Sequence, residues 1–427
     1  MRRSSLVAIA ISAVAALLHV SCNEEPVADT ATGSNVIWII GDGLRYDAGV
    51  AMDSFRKLSK QATVYDVANV AASDCVPSIA SMFTGLLPSE HEAHVVRLRR
   101  NARWNYHEQA LKPQLETIAE TFQRLGYETA LATANFRISD TSTGLAQGFD
   151  ELLLSKGAAT TMNARIETWL TTRPDGPFFL VIDYADTRHG YSPAPGNPEP
   201  EPDSLGDSHR IVEGLEPAVL SGEEYSVSEL ELLKSRYAEG VASLDFGINE
   251  LFRSLRTRGL YDEALIVLTA DHGHSLGEHN LLRSGRGGYE ELLHVPLAIK
   301  SPKQALPART RDRFSMVRLP RKILSEAFPE ALVELETAFA LHEDDTDVTA
   351  EQWYSHPYDF GHRWSDRFDQ VLRIHYRNRW KFIDSDEGTD QLYDLGADKR
   401  ELDNQAEKHR GVAADMEMRI KRVFGEI

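Results

Sequence analysis

The chain has 427 residues, 42% hydrophobic and 8% aromatic, which excludes a mostly disordered polypeptide and suits one large domain with an appendage. Its 65 acidic and 46 basic side chains give a formal charge of −19, which disfavours nucleic acid as a partner; an anionic substrate needs a locally cationic or metal-lined pocket. Two cysteines, Cys22 and Cys75, are too few for a disulfide framework.

Arg2 and Arg3 precede an apolar run from Leu6 to Leu18, followed by Val20-Ser21-Cys22 and acidic, proline-containing sequence. A basic start, a short apolar stretch and small residues describe a bacterial export signal over residues 1–22, too short to span a bilayer permanently. Leu18-His19-Val20-Ser21-Cys22 resembles a lipobox, so a lipid on Cys22 is the one expected link to a membrane, with a periplasmic or cell-envelope location. Residues 23–34 read as a polar tether. Cys75 is then the lone thiol of the folded body.

Val36–Ile40 is a continuous apolar run of strand length, as in a strand buried on both faces. Further strands are expected at 128–134, 178–183, 265–269 and 295–299. The clearest helix carries apolar residues at Leu230, Leu233, Tyr237, Val241, Leu244, Ile248, Leu251 and Leu255, every step three or four. Strands alternating with helices imply an α/β fold: a large, mostly parallel sheet covered by helices on both faces. That domain is expected over 35–305, with a smaller C-terminal α+β subdomain over 306–427. Residues 192–224, rich in Pro, Glu, Ser and Gly, read as a surface excursion. Near the C-terminus, 371–376 and 380–383 flank Asn378 as a hairpin, and a charged helix closes the chain.

Ligands of parallel sheets bind beyond the carboxyl ends of the strands. Three expected strands deliver acids or imidazoles there: Gly41-Asp42-Gly43, then Asp186-Thr187-Arg188-His189, then Asp271-His272-Gly273-His274. A single Asp at a strand end is as often a helix N-cap, but three together fit a metal held by carboxylate and imidazole. His91-Glu92-Ala93-His94 lacks the i, i+4 spacing of a zinc helix and reads as a solvated turn. Gly285-Arg286-Gly287-Gly288 lacks the Lys-Ser/Thr of a P-loop and reads as a flexible rim.

With these pieces placed, the chain resembles the sulfatases of the alkaline-phosphatase-like superfamily. The resemblance rests on Asn35–Asp47, on Cys75-Val-Pro-Ser-Ile-Ala-Ser-Met-Phe-Thr-Gly85 and on Leu125–Ala130 with Gln147–Asp150. It is strongest at Gly259–Gly273, Leu276-Gly-Glu-His279 and Tyr289–Leu297, and ends with Leu392-Tyr-Asp-Leu395, Glu401 and Asn404. It implies hydrolysis of a small-molecule or glycan sulfate ester with one divalent metal, usually Ca2+. Asp42, Asp271, His272 and Cys75 would be ligands. Cys75 would also be the precursor of a formylglycine nucleophile. By position, Cys75, His189 and Arg283 are the expected catalytic residues, and Arg188, Arg286 and His279 the expected substrate contacts; Arg283 or Arg286 stands in for a later lysine of the family.

The chain also departs from the pattern. Ile79 stands where the maturation signal has arginine, and Gly43 replaces a second aspartate ligand. His272 shifts preference toward zinc or manganese. Ala132-Thr-Ala-Asn135 loses two cations of a Gly-Lys-Trp-His segment, and Arg188 takes a histidine's register with His189 beside it. Two alternatives therefore stand beside the sulfatase reading. One is a phosphodiesterase or phosphonate ester hydrolase, suggested by Asp42-Gly-Leu-Arg45, with a second metal held by Asp186, His189 and His362. The other is a non-catalytic binding protein. Oligomeric state is not legible in the sequence.

Overall fold

The computed structural model describes residues 33–100, 103–188, 190–195, 226–329, 347–354 and 368–425. The export signal, Cys22, His189, His362 and most of the 192–224 excursion lie outside them. No helix among the described residues is long and apolar enough to cross a membrane.

Nine strands form the main sheet: β1 (Val36–Gly41), β2 (Thr63–Asn69), β5 (Glu128–Thr133), β6 (Glu151–Leu154), β7 (Phe178–Tyr184), β8 (Leu265–Ala270), β11 (His294–Lys300), β12 (Ala308–Thr310) and β13 (Phe314–Ser315). Their order is β12-β2-β11-β8-β1-β7-β5-β6, with β13 also paired to β2. Two hairpins, β3 (Val95–Arg100) with β4 (Arg103–Glu108) and β9 (Ser275–Leu276) with β10 (Leu282–Arg283), stand apart from it. Strands β1, β7 and β8 are buried along their whole length, which is why they read as unbroken apolar runs.

The sheet is mixed, though mostly parallel. Strand β11 runs antiparallel to both β8 and β2. Its first residue, His294, follows the excursion that leaves β8 at its carboxyl end, so the chain simply returns alongside, with no crossover helix needed. The 31-residue helix Val227–Thr257 has the expected face, with Leu233, Tyr237, Leu244, Ile248, Leu251 and Leu255 buried. It lies so close to the loop after β7 that a Cβ on Gly240 would sit 2.4 Å from the Asp186 carbonyl oxygen.

The main sheet takes in residues beyond the boundary expected at 305. Strands β12 and β13 still pair with β2, and helix Leu319–Ala327 packs on the helix Cys75–Thr84. The C-terminal sheet is antiparallel, β14 (Val348–Gln352), β15 (Leu372–Arg377), β16 (Trp380–Ser385) and β17 (Gln391–Asp394), and the helix Arg410–Val423 covers it. The expected hairpin is β15–β16, with Asn378 in the left-handed conformation (φ 53°) that its turn requires.

This small sheet docks beside the carboxyl ends of the main strands. The backbone N–H of Glu351 donates to Ala71, and the Tyr376 hydroxyl donates to Glu290. Residues 285–288 are buried in this contact, not a flexible rim: Gly285 N–H donates to Ser73, and a Cβ on Gly288 would meet Ile374 at 2.7 Å. The expected solvated turn at 91–94 is likewise interior. The His91 Nε2 lies 3.0 Å from Ser81 Oγ and 3.2 Å from the Pro77 carbonyl, while His94 stacks on Trp353. The His91 ring thus packs against the helix Cys75–Thr84, and the His94 ring against Trp353, which follows β14.

Candidate active site

Register brings the acids together. Ile40 of β1 is level with Asp183 of β7 and Thr269 of β8, so Asp42, Asp183 and Asp271 arrive at one edge. All three are buried, at 2%, 1% and 0% exposure. Asp271 Oδ1 accepts the backbone N–H groups of Gly43 (3.0 Å) and His272 (2.9 Å), whereas its buried Oδ2 has no hydrogen-bond donor. His272 Nδ1 lies 2.8 Å from the Gly273 carbonyl, which makes Nδ1 the donor and turns Nε2 inward. That Nε2 is 3.3 Å from Asp271 Oδ2 and 3.8 Å from Asp42 Oδ1.

Asp42, Asp271 and His272 offer ligand atoms within 4.8 Å of one another. Such a concentration of buried negative charge is costly unless a cation or bound protons offset it. Its signs are visible in the titration behaviour. Burial, then Asp42 and Asp271, pushes the Asp183 carboxyl well above its usual range, and burial raises Asp271 to about 6. Burial alone would lower His272, but Asp271 and Asp42 outweigh it and raise the imidazole. The orphaned Asp271 oxygen and this carboxylate–imidazole donor set fit a divalent cation.

Cys75 opens the helix Cys75–Thr84, whose ten residues are all buried. Pro77 is tolerated because it falls in the first turn. The Ser78 hydroxyl donates to the Asp271 carbonyl, pinning the helix start to the loop after β8. Cys75 Sγ stands outside the tight ligand group and reaches it through one side chain, Asn135. The Asn135 amide donates to Cys75 Sγ (3.1 Å) and to Asp42 Oδ2 (3.0 Å). Its Oδ1 caps the short helix Phe136–Ser139 by accepting the Arg137 N–H at 3.0 Å, which fixes which end of the amide faces the site. Burial, with Asp271 and Asp42, holds the thiol well above its ordinary pKa, so it stays protonated at neutral pH.

Asn135, Asp183 and Arg137 are the site residues that sequence reasoning missed. Asn135 was read only as a lost cation. Asp183 was a carboxylate inside an apolar strand, and that anomaly was the available signal. Arg137 forks onto both Asp74 oxygens (3.2 and 3.1 Å) and also binds Glu108, placing a partly buried guanidinium beside the residue that precedes Cys75. Ile79, by contrast, is fully buried in helix packing.

The expected substrate contacts separate. Arg188 reaches Asp42, Nε to Oδ2 3.7 Å. The loop of Arg283 and Arg286 runs beside Ser73 and Asp74, with both arginines among the charges around His274. His279 stands apart from the other three: it stacks on Tyr289 with ring centroids 3.6 Å apart and joins Glu291 and Glu401 in a different cluster. Positive φ at Gly277, His279 and Asn280 turns the chain that way. Asp186 is also turned aside, accepting the Ser243 hydroxyl and the Ala159 N–H.

A family model described as Sulfatase matches residues 34–327. An ulvan-active sulfatase of Formosa agariphila is 22% identical over 403 residues, 86% of this chain and 63% of that protein. The multifunctional alkaline phosphatase superfamily protein PehA of Trinickia caryophylli is 28% identical over 170 residues, 34% of this chain and 33% of its own length. The chain thus spans between a third and two thirds of these relatives. Among solved structures, a protein in complex with its substrate D-glucosamine-2-N,6-O-disulfate superposes with a TM-score of 0.67 at 17% identity, covering 92% of this chain and 97% of the other. With the strand-end acids, the cysteine-led helix and this match over most of the folded chain, the protein belongs to the sulfatase family.

Proposed function

We propose that this protein is a metal-dependent hydrolase of sulfate esters whose nucleophile derives from Cys75. The observation that carries the reading is the shared amide: one Asn135 NH2 group holds both Cys75 Sγ and the inner carboxylate Asp42. A thiol kept protonated by burial and two carboxylates is a poor nucleophile as it stands. Asp42, Asp271 and His272 would hold the divalent cation, Ca2+ by family habit, with Zn2+ or Mn2+ favoured by the imidazole. When bound it would supply positive charge that acidifies the nucleophile and balances the sulfate oxygens. Conversion of Cys75 to formylglycine would supply two hydroxyls as the hydrate. One attacks sulfur and releases the alcohol; the other, once deprotonated, expels sulfate and restores the aldehyde.

Around that nucleophile, Asn135 orients the attacking atom. Arg188 offsets the charge of Asp42 and stands ready for the anionic substrate. Asp183 accepts the Thr133 hydroxyl at 2.6 Å, which holds its carboxyl in place behind Asp42 and Asp271. Arg137 supplies, from a different helix, a cation near the segment that Ile79 leaves uncharged. A sulfated sugar is the favoured substrate, in line with the ulvan-active relative, and export with a lipid on Cys22 would place the enzyme in the cell envelope. The phosphoester alternative gains nothing from Asp186, which serves Ser243 and Ala159, nor from Arg45, which is committed to Asp47, Glu278 and the His274 carbonyl. Peptide mass spectrometry on protein from its native host should find an aldehyde at position 75. An unmodified thiol there rejects the formylglycine route, and sulfate-ester turnover that survives Cys75→Ala rejects the nucleophile assignment altogether.

A further inference from the structure

Phe136 is 69% exposed, although its backbone is among the best anchored near the site. On one side, Asn135 is bound to Cys75 and Asp42; on the other, Arg137 is locked between Asp74 and Glu108. Asp140 N–H closes the turn onto the Phe136 carbonyl at 2.8 Å. The ring is therefore held out at the rim, one residue from the amide that touches the nucleophile. Arg188, whose Nε faces Asp42 at 3.7 Å, places its guanidinium carbon 5.5 Å from the ring centroid. Cation and ring brace each other.

An isolated surface phenylalanine needs no explanation. One fixed at the mouth of a buried anionic site, with a cation at its edge, does. The arrangement offers a flat apolar face beside a charged grip. We infer that Phe136 is a stacking platform for the ring that bears the ester, the side chain by which this site favours a ring-borne sulfate over an acyclic alkyl sulfate. A rigid ring loses little freedom on stacking, whereas a flexible chain must be ordered to make the same contact. The inference rests on the sulfate-ester reading of the Cys75 site and adds which side chain reads the organic half of the ester.

The test measures binding in Cys75→Ala protein, which has no hydroxyl or thiol to attack the ester. Its probes are 4-nitrophenyl sulfate, N-acetylglucosamine 6-sulfate and propyl sulfate. Phe136→Ala should weaken both cyclic esters at least fivefold and leave propyl sulfate within twofold, and Phe136→Trp should bind the cyclic esters as the parent does. Equal weakening of all three, or no change in the cyclic pair, overturns the platform. Failure of the parent to bind any of them counts against the sulfate-ester site itself, which wild-type turnover tests separately.

Discussion

Removing the Asn135 amide is the sharpest perturbation of this site. Asn135→Ala deletes the donor to Asp42 (3.0 Å), the donor to Cys75 (3.1 Å) and the cap on Arg137 N–H (3.0 Å). A hydrogen bond to a charged group contributes about 1.5–3 kcal/mol, and a lost N-cap costs about 1 kcal/mol. The metal-free protein should therefore lose about 3 kcal/mol in urea unfolding. A double-mutant cycle with Asp42→Asn separates the parts, because the cap term is common to both backgrounds and cancels. Coupling of about 1 kcal/mol or more is expected from the Asn135–Asp42 contact. Loss of a donor aimed at the nucleophile should also lower kcat by roughly 10²-fold. Additivity within about 0.5 kcal/mol, together with wild-type kcat in Asn135→Ala, would refute the bridging role.

Gly273→Ala should destabilise by about 3 kcal/mol or more, because its Cβ would fall 1.9 Å from the Glu291 carbonyl oxygen; calorimetry and metal content should fall together. Burial, with Glu401 and Glu278, pushes Glu291 up to about 7 from an ordinary 4.5. The folded state thus holds this proton more tightly, so its stabilisation is complete below pH 4.5 and disappears as pH rises through 7. The loss is about 3 kcal/mol, and Glu291→Gln should flatten that part of the urea-unfolding pH profile. Chelation at neutral pH should lower the Tm, and a cation at about 100 times its Kd should restore about 2.7 kcal/mol; an unchanged Tm would remove the metal from Asp42, Asp271 and His272.

The buried strands were legible because β1, β7 and β8 are buried at every position and apolar at nearly all of them, a pattern that local composition alone produces. So were the long helix, whose apolar steps of three and four leave one solution, and the acids at the strand ends. Motif resemblance then singled out Asp42, Cys75, Asp271 and His272. The direction of β11 was not legible, because an apolar strand reads the same in either sense and the turn before it decides. Nor was the boundary at the small sheet, since β12 and β13 are short and polar and gain their place only by pairing with β2.

Within the site, the chain's own order concealed the decisive contacts. Asn135 lies 93 residues from Asp42 and 60 from Cys75, and no local pattern announces that its amide will bridge them. Nothing in the local sequence sets Arg137 apart, and only the fold brings Asp74 and Glu108 onto it. His91 and His94 look solvated because imidazole is polar, yet the cysteine helix covers one and Trp353 the other. Sequence by itself determined which carboxylates, imidazoles and thiol stand at the strand and helix ends, since that follows from side-chain type and the apolar runs before them. Only the tertiary structure decided which of them share a hydrogen bond, which face outward and which are spent on packing, because those outcomes depend on distances between segments that folding alone brings together.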